Sequence, residues 1–164
     1  MKLLIFSDSH YAVEPMVEVT KFEKPDAIIH LGDMWDDAAE LERIFPKIPL
    51  YHVAGNCDSY RGGSKTDEIR PVFEGVRFFC AHGHRYNVKM TYLRFLMKAM
   101  EEDARVALFG HTHVAFAEEQ NGVLLLNPGT CRGYGGTYAV IDVNDGKVQY
   151  RLCKTQNAMG GKML

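Results

Sequence analysis

The chain has 164 residues, of which 46% are hydrophobic and 24% charged, with a formal net charge of -2 when histidine is neutral. That length fits one domain able to bury a substantial core, and the composition excludes a disordered chain. The near-balanced charge, with no lysine- or arginine-rich stripe, argues against an extended nucleic-acid interface.

The first element is "KLLIFS", a short apolar run that reads as a buried strand. Only five residues separate Lys2 from the first acid, Asp8, too few for a signal-peptide core. No apolar run reaches the ~20 residues that span a bilayer, so no membrane partner and a cytoplasmic location are expected. "EPMVEVTKFEK" has apolar residues at helical spacing, and "DAIIHL" is a second buried strand that ends at Gly32. "DDAAELERIF" follows as a helix with acids in its first turn, which suits the helix dipole. "LYHVA" is a third strand, ending at Gly55. This alternation predicts right-handed crossovers and a parallel sheet.

The second half reads differently. "IRPVFEG" and "VRFFCAHG" look like neighbouring strands, "TYLRFLMKAMEED" like a helix and "RVALFG" like another strand. The Leu, Phe and Met of "YLRFLMKAM" are expected in the core. Two strand pairs follow, turning at Asn121-Gly122 and at Asn144, Asp145 and Gly146, so this half is expected to be richer in antiparallel pairs. One domain is expected over residues 1–153, with a loose tail over 154–164. Cys57, Cys80, Cys131 and Cys153 form no C-x-x-C pair, so neither a zinc ribbon nor a disulfide framework is indicated. Cys80 and Cys153 are expected as free thiols.

The polar residues that follow the strands carry the chemistry. "SDSH" brings Asp8 and His10, "LGDMWDD" Asp33, "AGNCD" Asn56, "HGH" His82 and His84, and "GHTH" His111 and His113. In open α/β sheets the carboxyl ends of the strands line the ligand crevice. Any one of these elements is common by chance; five together in a small domain are not. Their donors are two carboxylates, one amide oxygen and four imidazoles besides His84. This set suits Mn, Fe, Co, Ni or Zn better than Mg or Ca, which prefer all-oxygen shells. Shared between two ions, with one carboxylate bridging, it supplies four donors to each. Two divalent ions about 3.5–4 Å apart form a clamp suited to displacement at phosphorus.

In this order, "DSH", "GD", "GNCD", "HGH" and "GHTH" resemble the calcineurin-like metallophosphoesterase superfamily, and "NPGT" at 127–130 matches a further element of it. The short length and the "GNCD" variant resemble its small bacterial and archaeal branch, the YfcE-type phosphodiesterases. The resemblance implies an α/β fold: a four-layer α/β/β/α sandwich with two central mixed sheets. It implies that Asp8, His10, Asp33 and His113 hold one metal, and that Asp33 bridges to a second held by Asn56, His82 and His111. It also implies two divalent cofactors, with Mn favoured, and a hydroxide between them that attacks a small phosphoester. Extended nucleic acid is not among the implied partners, and the oligomeric state is left open, a homo-oligomer included.

Many members of that superfamily read G-N-H-[DE], with a histidine that helps bind substrate or protonate the leaving group. Cys57 occupies that place here. His84 is the candidate to take over part of this catalytic role; the alternative is support of the site. Cys57 and Arg132 are candidate substrate contacts. Asp58 reads as a loop cap or a support of the site, Asp36 and Asp37 as helix N-cap groups, and His30 and His52 as core residues or supports of the site, not ligands. Trp35 either lines the substrate rim or packs. Asn127, Pro128 and Gly129 are expected to shape a loop. The expected function is a two-metal phosphodiesterase. A phosphomonoesterase of the same fold, a non-catalytic scaffold and a purely structural metal site are the alternatives.

Overall fold

The computed structural model describes residues 1–58 and 66–158. The first half contains β1 (Lys2–Phe6), α1 (Val13–Glu23), β2 (Ala27–His30), α2 (Trp35–Ile44) and β3 (Leu50–His52). There follow β4 (Glu68–Ile69), β5 (Val72–Phe73), β6 (Val76–Ala81), α3 (Leu93–Glu101) and β7 (Val106–Leu108). Four strands close the described chain: β8 (Ala115–Gln120), β9 (Val123–Pro128), β10 (Thr137–Asn144) and β11 (Lys147–Lys154).

Two mixed sheets form the centre. The first has the order β11-β10-β1-β2-β3, with β1, β2 and β3 parallel, β10 antiparallel to β1, and β11 antiparallel to β10 at the edge. The second has the order β4-β6-β7-β9-β8, with β5 also paired to β6. The two late hairpins are antiparallel, as their turns predict. Asn121-Gly122 has φ of 51° and 78° and Asp145-Gly146 has 48° and 74°, the paired positive values of a tight hairpin turn. Within this second half, β6, β7 and β9 run parallel at the centre of the sheet, while β4, β5 and β8 pair antiparallel at its edges, so the half is richer in antiparallel pairs, as expected. Phe78, Phe79, Ala107, Leu125 and their neighbours are buried on both faces, the condition of interior parallel strands.

Successive side chains of β1 show how the layers arise. Leu3 and Ile5 enter the core between the two sheets, with Phe78, Val106 and Leu126 opposite. Leu4 and Phe6 face the other way, onto Met16 and Val19 of α1 and Leu41 of α2. A strand buried on both faces has no polar positions, which is why "KLLIF" alternates so little. On the second sheet Phe79, Ala107 and Leu125 pack against Phe95, Leu96 and Ala99 of α3. The result is the expected four-layer sandwich, helices outside and sheets within.

Helix α3 departs from its expected burial. Phe95, Leu96 and Ala99 are buried, but Leu93, Met97 and Met100 are 59, 54 and 44% exposed, so only one face is core. The chain end departs too. Strand β11 reaches Lys154, and Thr155 is buried with its N–H on the Gly136 carbonyl at 2.8 Å. Order therefore continues past residue 153; residues 159–164, the rest of the expected tail, lie outside the described residues.

A buried carboxylate ties the first sheet to α1. Glu23 accepts hydrogen bonds from Tyr138 Oη at 2.9 Å and from two Arg151 nitrogens at 2.9 and 2.7 Å. The Arg151 hydrogen bonds outweigh burial and hold the Glu23 carboxyl below the usual carboxylate range. A depressed pKa contributes stability above the unfolded-state value and loses it as pH falls through the folded value. Arg151→Ala is expected to cost about 1–2 kcal/mol near neutral pH, a figure held low because Arg151 is half-exposed. Urea unfolding of both proteins near pH 7 and near pH 3 should show the gap narrowing on the acid side.

Candidate metal centre

Five strands deliver their following residues to one place. Backbone bonds register the loops: Asp8 N–H to the Gly32 carbonyl at 3.0 Å, Leu31 N–H to Phe6 at 2.8 Å and Gly110 N–H to His82 at 3.0 Å. Asp8, His10, Asp33 and His113 each offer a ligand atom, and these four atoms lie within 4.8 Å of one another. His113 Nε2 is 3.0 Å from Asp8 Oδ1, His10 Nε2 is 3.4 Å from His113 Nε2 and 3.9 Å from Asp33 Oδ2. On the other side of Asp33, its Oδ1 is 3.4 Å from His82 Nε2, which is 3.2 Å from Asn56 Oδ1. The His111 ring centroid is 5.1 Å from that of His82. All seven candidate ligands are thus brought together, with Asp33 between the two groups.

Each donor is oriented by a neighbour. Asp8 Oδ2 accepts from Ser7 Oγ at 2.5 Å and from the His111 N–H at 3.0 Å, which leaves Oδ1 facing the imidazoles. His82 Nδ1 lies 2.7 Å from the Leu31 carbonyl, an acceptor only, so Nδ1 carries a proton and Nε2 faces the site. Asp33 Oδ1 accepts the Cys57 N–H at 2.9 Å. Burial works to raise the Asp33 carboxyl, but the hydrogen bond and charge of His82 outweigh it and hold it well below its usual range. Burial works to lower His82, and Asp33 and Asp8 raise it on balance. His111 is lowered to about 4 by burial and by His82, so its imidazole is neutral near pH 7 and has a lone pair to offer.

This arrangement fits a metal ion. Asp8 Oδ1 is buried and accepts no hydrogen bond. Two imidazole nitrogens and two carboxylates pointed at each other form a cage of lone pairs, and a cation is what such a cage lacks. Mixed nitrogen and oxygen donors suit a first-row transition metal or zinc.

His111 and His113 do not arrive as alternate residues of an extended segment, which would share a face. Instead both are left-handed, with φ of 67° and 61°, and the Thr112 N–H folds back to the Gly110 carbonyl at 2.7 Å. Asp8, His10 and Asp33 are also left-handed, at 52°, 43° and 57°. Non-glycine residues adopt this region rarely and at a cost, so its recurrence marks backbone held for the site.

Residues beneath the site supply the hold. Asp58 accepts from four N–H groups, those of Asp33, Met34, Trp35 and Gly55, at 3.1, 3.0, 2.7 and 2.8 Å. Its expected capping role is therefore met across two loops. Asp37 corrects its reading as an N-cap: it is buried and accepts from Ser9 Oγ and the Tyr11 N–H, both at 2.7 Å. The N-cap of α2 is Met34, without a side-chain bond. Asn127 Nδ2 donates to the Gly110 carbonyl at 2.8 Å and to Thr112 Oγ1 at 3.0 Å, bracing the histidine turn. Thr130 Oγ1 donates to the Asp8 carbonyl at 2.7 Å. Ser7, Ser9 and Thr130 were not singled out by sequence; small hydroxyl residues next to ligands are the one signal they carry.

His84 stands at the edge, its ring 5.4 Å from His82 and 6.1 Å from His111. Burial, then the charge of His82, lowers its pKa. The exposed Cys57 lies beside Asp33, and burial and the Asp33 charge push its thiol up to about 11. Arg132 is exposed, and its backbone N–H meets Thr130 Oγ1 at 3.2 Å. No hydrogen bond or ion pair joins its guanidinium to the site among the described residues. His30 is fully buried, with Nε2 3.1 Å from Ser9 Oγ. His52 and Trp35 stack at 3.7 Å.

Residues 1–146 match the calcineurin-like phosphoesterase superfamily domain. The chain belongs to this superfamily. As a member it is a metal-dependent phosphoesterase, a hydrolase. It is 36% identical over 135 residues to the probable metallophosphoesterase YsnB of Bacillus subtilis, covering 80% of this chain and 76% of that protein. It is 30% identical to a protein of Methanocaldococcus jannaschii named as a phosphodiesterase, over 92% of this chain and 97% of the relative. A solved structure from Streptococcus pneumoniae, described as a predicted phosphoesterase, superposes with a TM-score of 0.78 at 26% identity, covering 94% of this chain and 90% of that one. Vps29 of Entamoeba histolytica, at 18% identity and a TM-score of 0.72, shares the fold.

Gly55 tests the fit of backbone to site. A Cβ there would lie 2.2 Å from Asp33 Oδ1 and 2.4 Å from the Asp33 nitrogen, too close for either to stay. Gly55→Ala is expected to weaken divalent-metal binding by on the order of a hundredfold. Isothermal titration of the stripped protein with Mn or Zn would measure it.

Proposed function

We propose that this phosphoesterase is a phosphodiesterase that uses two divalent ions, held by Asp8, His10, Asp33 and His113 on one side and by Asp33, Asn56, His82 and His111 on the other. The observation that carries the reading is the convergence of all seven donors from five loops, with the Asp33 carboxylate offering one oxygen to each group. When bound, such a pair of ions activates water near neutral pH and neutralises charge on the phosphoryl group. Manganese is the favoured metal, and Fe, Co, Ni or Zn suit the same donors.

The chain's own residues set the geometry for that chemistry. The Leu31 carbonyl fixes the His82 ring, Ser7 and the His111 N–H fix Asp8, and the Cys57 N–H fixes Asp33. Positions held this way need little reorganisation during reaction. The preference for diesters is supported by the relative named as a phosphodiesterase and by Cys57, which stands where many superfamily members have a histidine. A thiol with its pKa near 11 stays protonated at pH 7, so Cys57 acts as a weak donor at the rim and not as a thiolate nucleophile. A cleft of about 270 Å³, lined by His10, Tyr11, Met34, Trp35, Asp36, Cys57 and Asp58, adjoins the first group and has room for an ester substituent. His84 is assigned the contact with the leaving group, and Arg132 a peripheral contact with substrate. The location in the cell is read as the cytoplasm; among the described residues no helix is long and apolar enough to cross a membrane.

The test compares bis-p-nitrophenyl phosphate with p-nitrophenyl phosphate, using protein stripped of metal and then given Mn in excess. Diester cleavage should require metal, exceed monoester cleavage and fall by on the order of a hundredfold or more in His111→Ala. Faster monoester cleavage would favour the phosphomonoesterase, and no turnover with two ions bound per chain would favour a scaffold. His84→Ala should lose more activity on alkyl than on aryl diesters, because poor leaving groups depend more on proton donation. Equal rates for wild type and variant on both would remove His84 from that role.

A further inference from the structure

Helix α3 is apolar on two faces, and only one of them is covered within the chain. Phe95, Leu96 and Ala99 pack on the second sheet. Leu93, Met97 and Met100 of α3, at spacings of four and three residues, are 59, 54 and 44% exposed, and Met90, in the turn just before the helix, is 78% exposed. Isolated exposed apolar side chains need no explanation. A stripe with this alternating repeat is the seam by which one helix packs along another. At its N-terminal end lies a groove of about 360 Å³, bordered by Met90, Tyr92, Leu93 and by Gln120 of β8. In an antiparallel partner, the long flexible side chain of Met100 comes toward this end of the helix.

The charges beside the stripe say what covers it. Arg94 lies in the first turn of α3 and Glu101 in the last, and both are exposed. They are seven residues apart, so they stand on the same flank of the stripe. Each has the sign that its own helix end disfavours, since the N-terminal end is positive and the C-terminal end negative. Within the chain Glu101 meets Lys98 at 3.5 Å. A second α3 laid antiparallel places Arg94 of one copy opposite Glu101 of the other, and does so twice. It also opposes the two dipoles. The patch is thus self-complementary in charge as well as apolar in the middle, as a two-fold contact between identical chains requires.

We propose that α3 is a dimer interface, in which two copies of this chain pack their α3 helices antiparallel with Met97 near the two-fold axis. The interface goes beyond the reading of the metal centre and does not depend on it.

Sedimentation equilibrium of the full chain over a range of concentrations tests the proposal. The expected result is reversible association to two chains. Met97→Glu, at an exposed position, should give a monomer with unchanged helix content by circular dichroism and unchanged metal-dependent hydrolysis. Arg94→Glu should weaken the dimer roughly tenfold, and Arg94→Glu combined with Glu101→Arg should restore it. A chain that stays monomeric at every concentration would overturn the proposal. So would a two-chain mass that Met97→Glu leaves intact, or a double variant no better than Arg94→Glu alone.

Discussion

Asp8 and Asp33 are almost fully buried, and the lone pairs of His10, His82, His111 and His113 are gathered around them. Two carboxylates placed this way repel one another and forgo their hydration, a cost that protons and hydrogen bonds meet only in part. Asp8 Oδ1 has no hydrogen bond at all. The cage is short of positive charge, and much of the surrounding chain is arranged to hold it open. In the proposed function, the cations that relieve this cost would also neutralise charge on a phosphoryl group.

The sandwich meets this demand by placing the loops of two sheets face to face. The core between the sheets, built from Leu3, Ile5 and Ile29 against Phe78, Val106 and Leu126, sets the distance across which Asp8 and Asp33 meet His82 and His113. Local backbone then does the fine placement. Asp8, His10, Asp33, His111 and His113 all adopt left-handed conformations that cost about 1 kcal/mol or more apiece. Asp37, Asp58, Asn127 and Thr130 stabilise those loops from below with hydrogen bonds to backbone N–H and carbonyl groups. Stability and site geometry are therefore linked through the side chains that hold these loops.

Much of this was legible in the sequence. The donor residues announce themselves because His, Asp and Asn after apolar runs are out of place in a core, and because glycine beside them signals a sharp turn. The hairpins at Asn121-Gly122 and Asp145-Gly146 follow from residues that accept positive φ. The four-layer arrangement came from the resemblance carried by those motifs, not from periodicity. What stayed hidden has a common cause. The parallel pairing of β6, β7 and β9, the bond from Asp37 to Tyr11 and the bonds to Asp58 from the N–H groups of Asp33, Met34 and Trp35 are all contacts between segments distant in the chain. The exposed stripe of α3 was hidden for a related reason: a helix apolar on two sides does not say which side meets the sheet.

The sequence by itself determined the chemistry on offer and the places where it is presented: which donors exist, which strands are buried on both faces and which ends they follow. Those are properties of single residues and of short-range periodicity. The tertiary structure alone decided that Asp8 and His113, far apart in the chain, stand 3.0 Å from each other. It also decided that His111 and His113 reach the site through a tight left-handed turn, and that one face of α3 is left uncovered by the rest of the chain. Those outcomes depend on how two sheets pack and on which distant group completes each hydrogen bond. No local pattern encodes them.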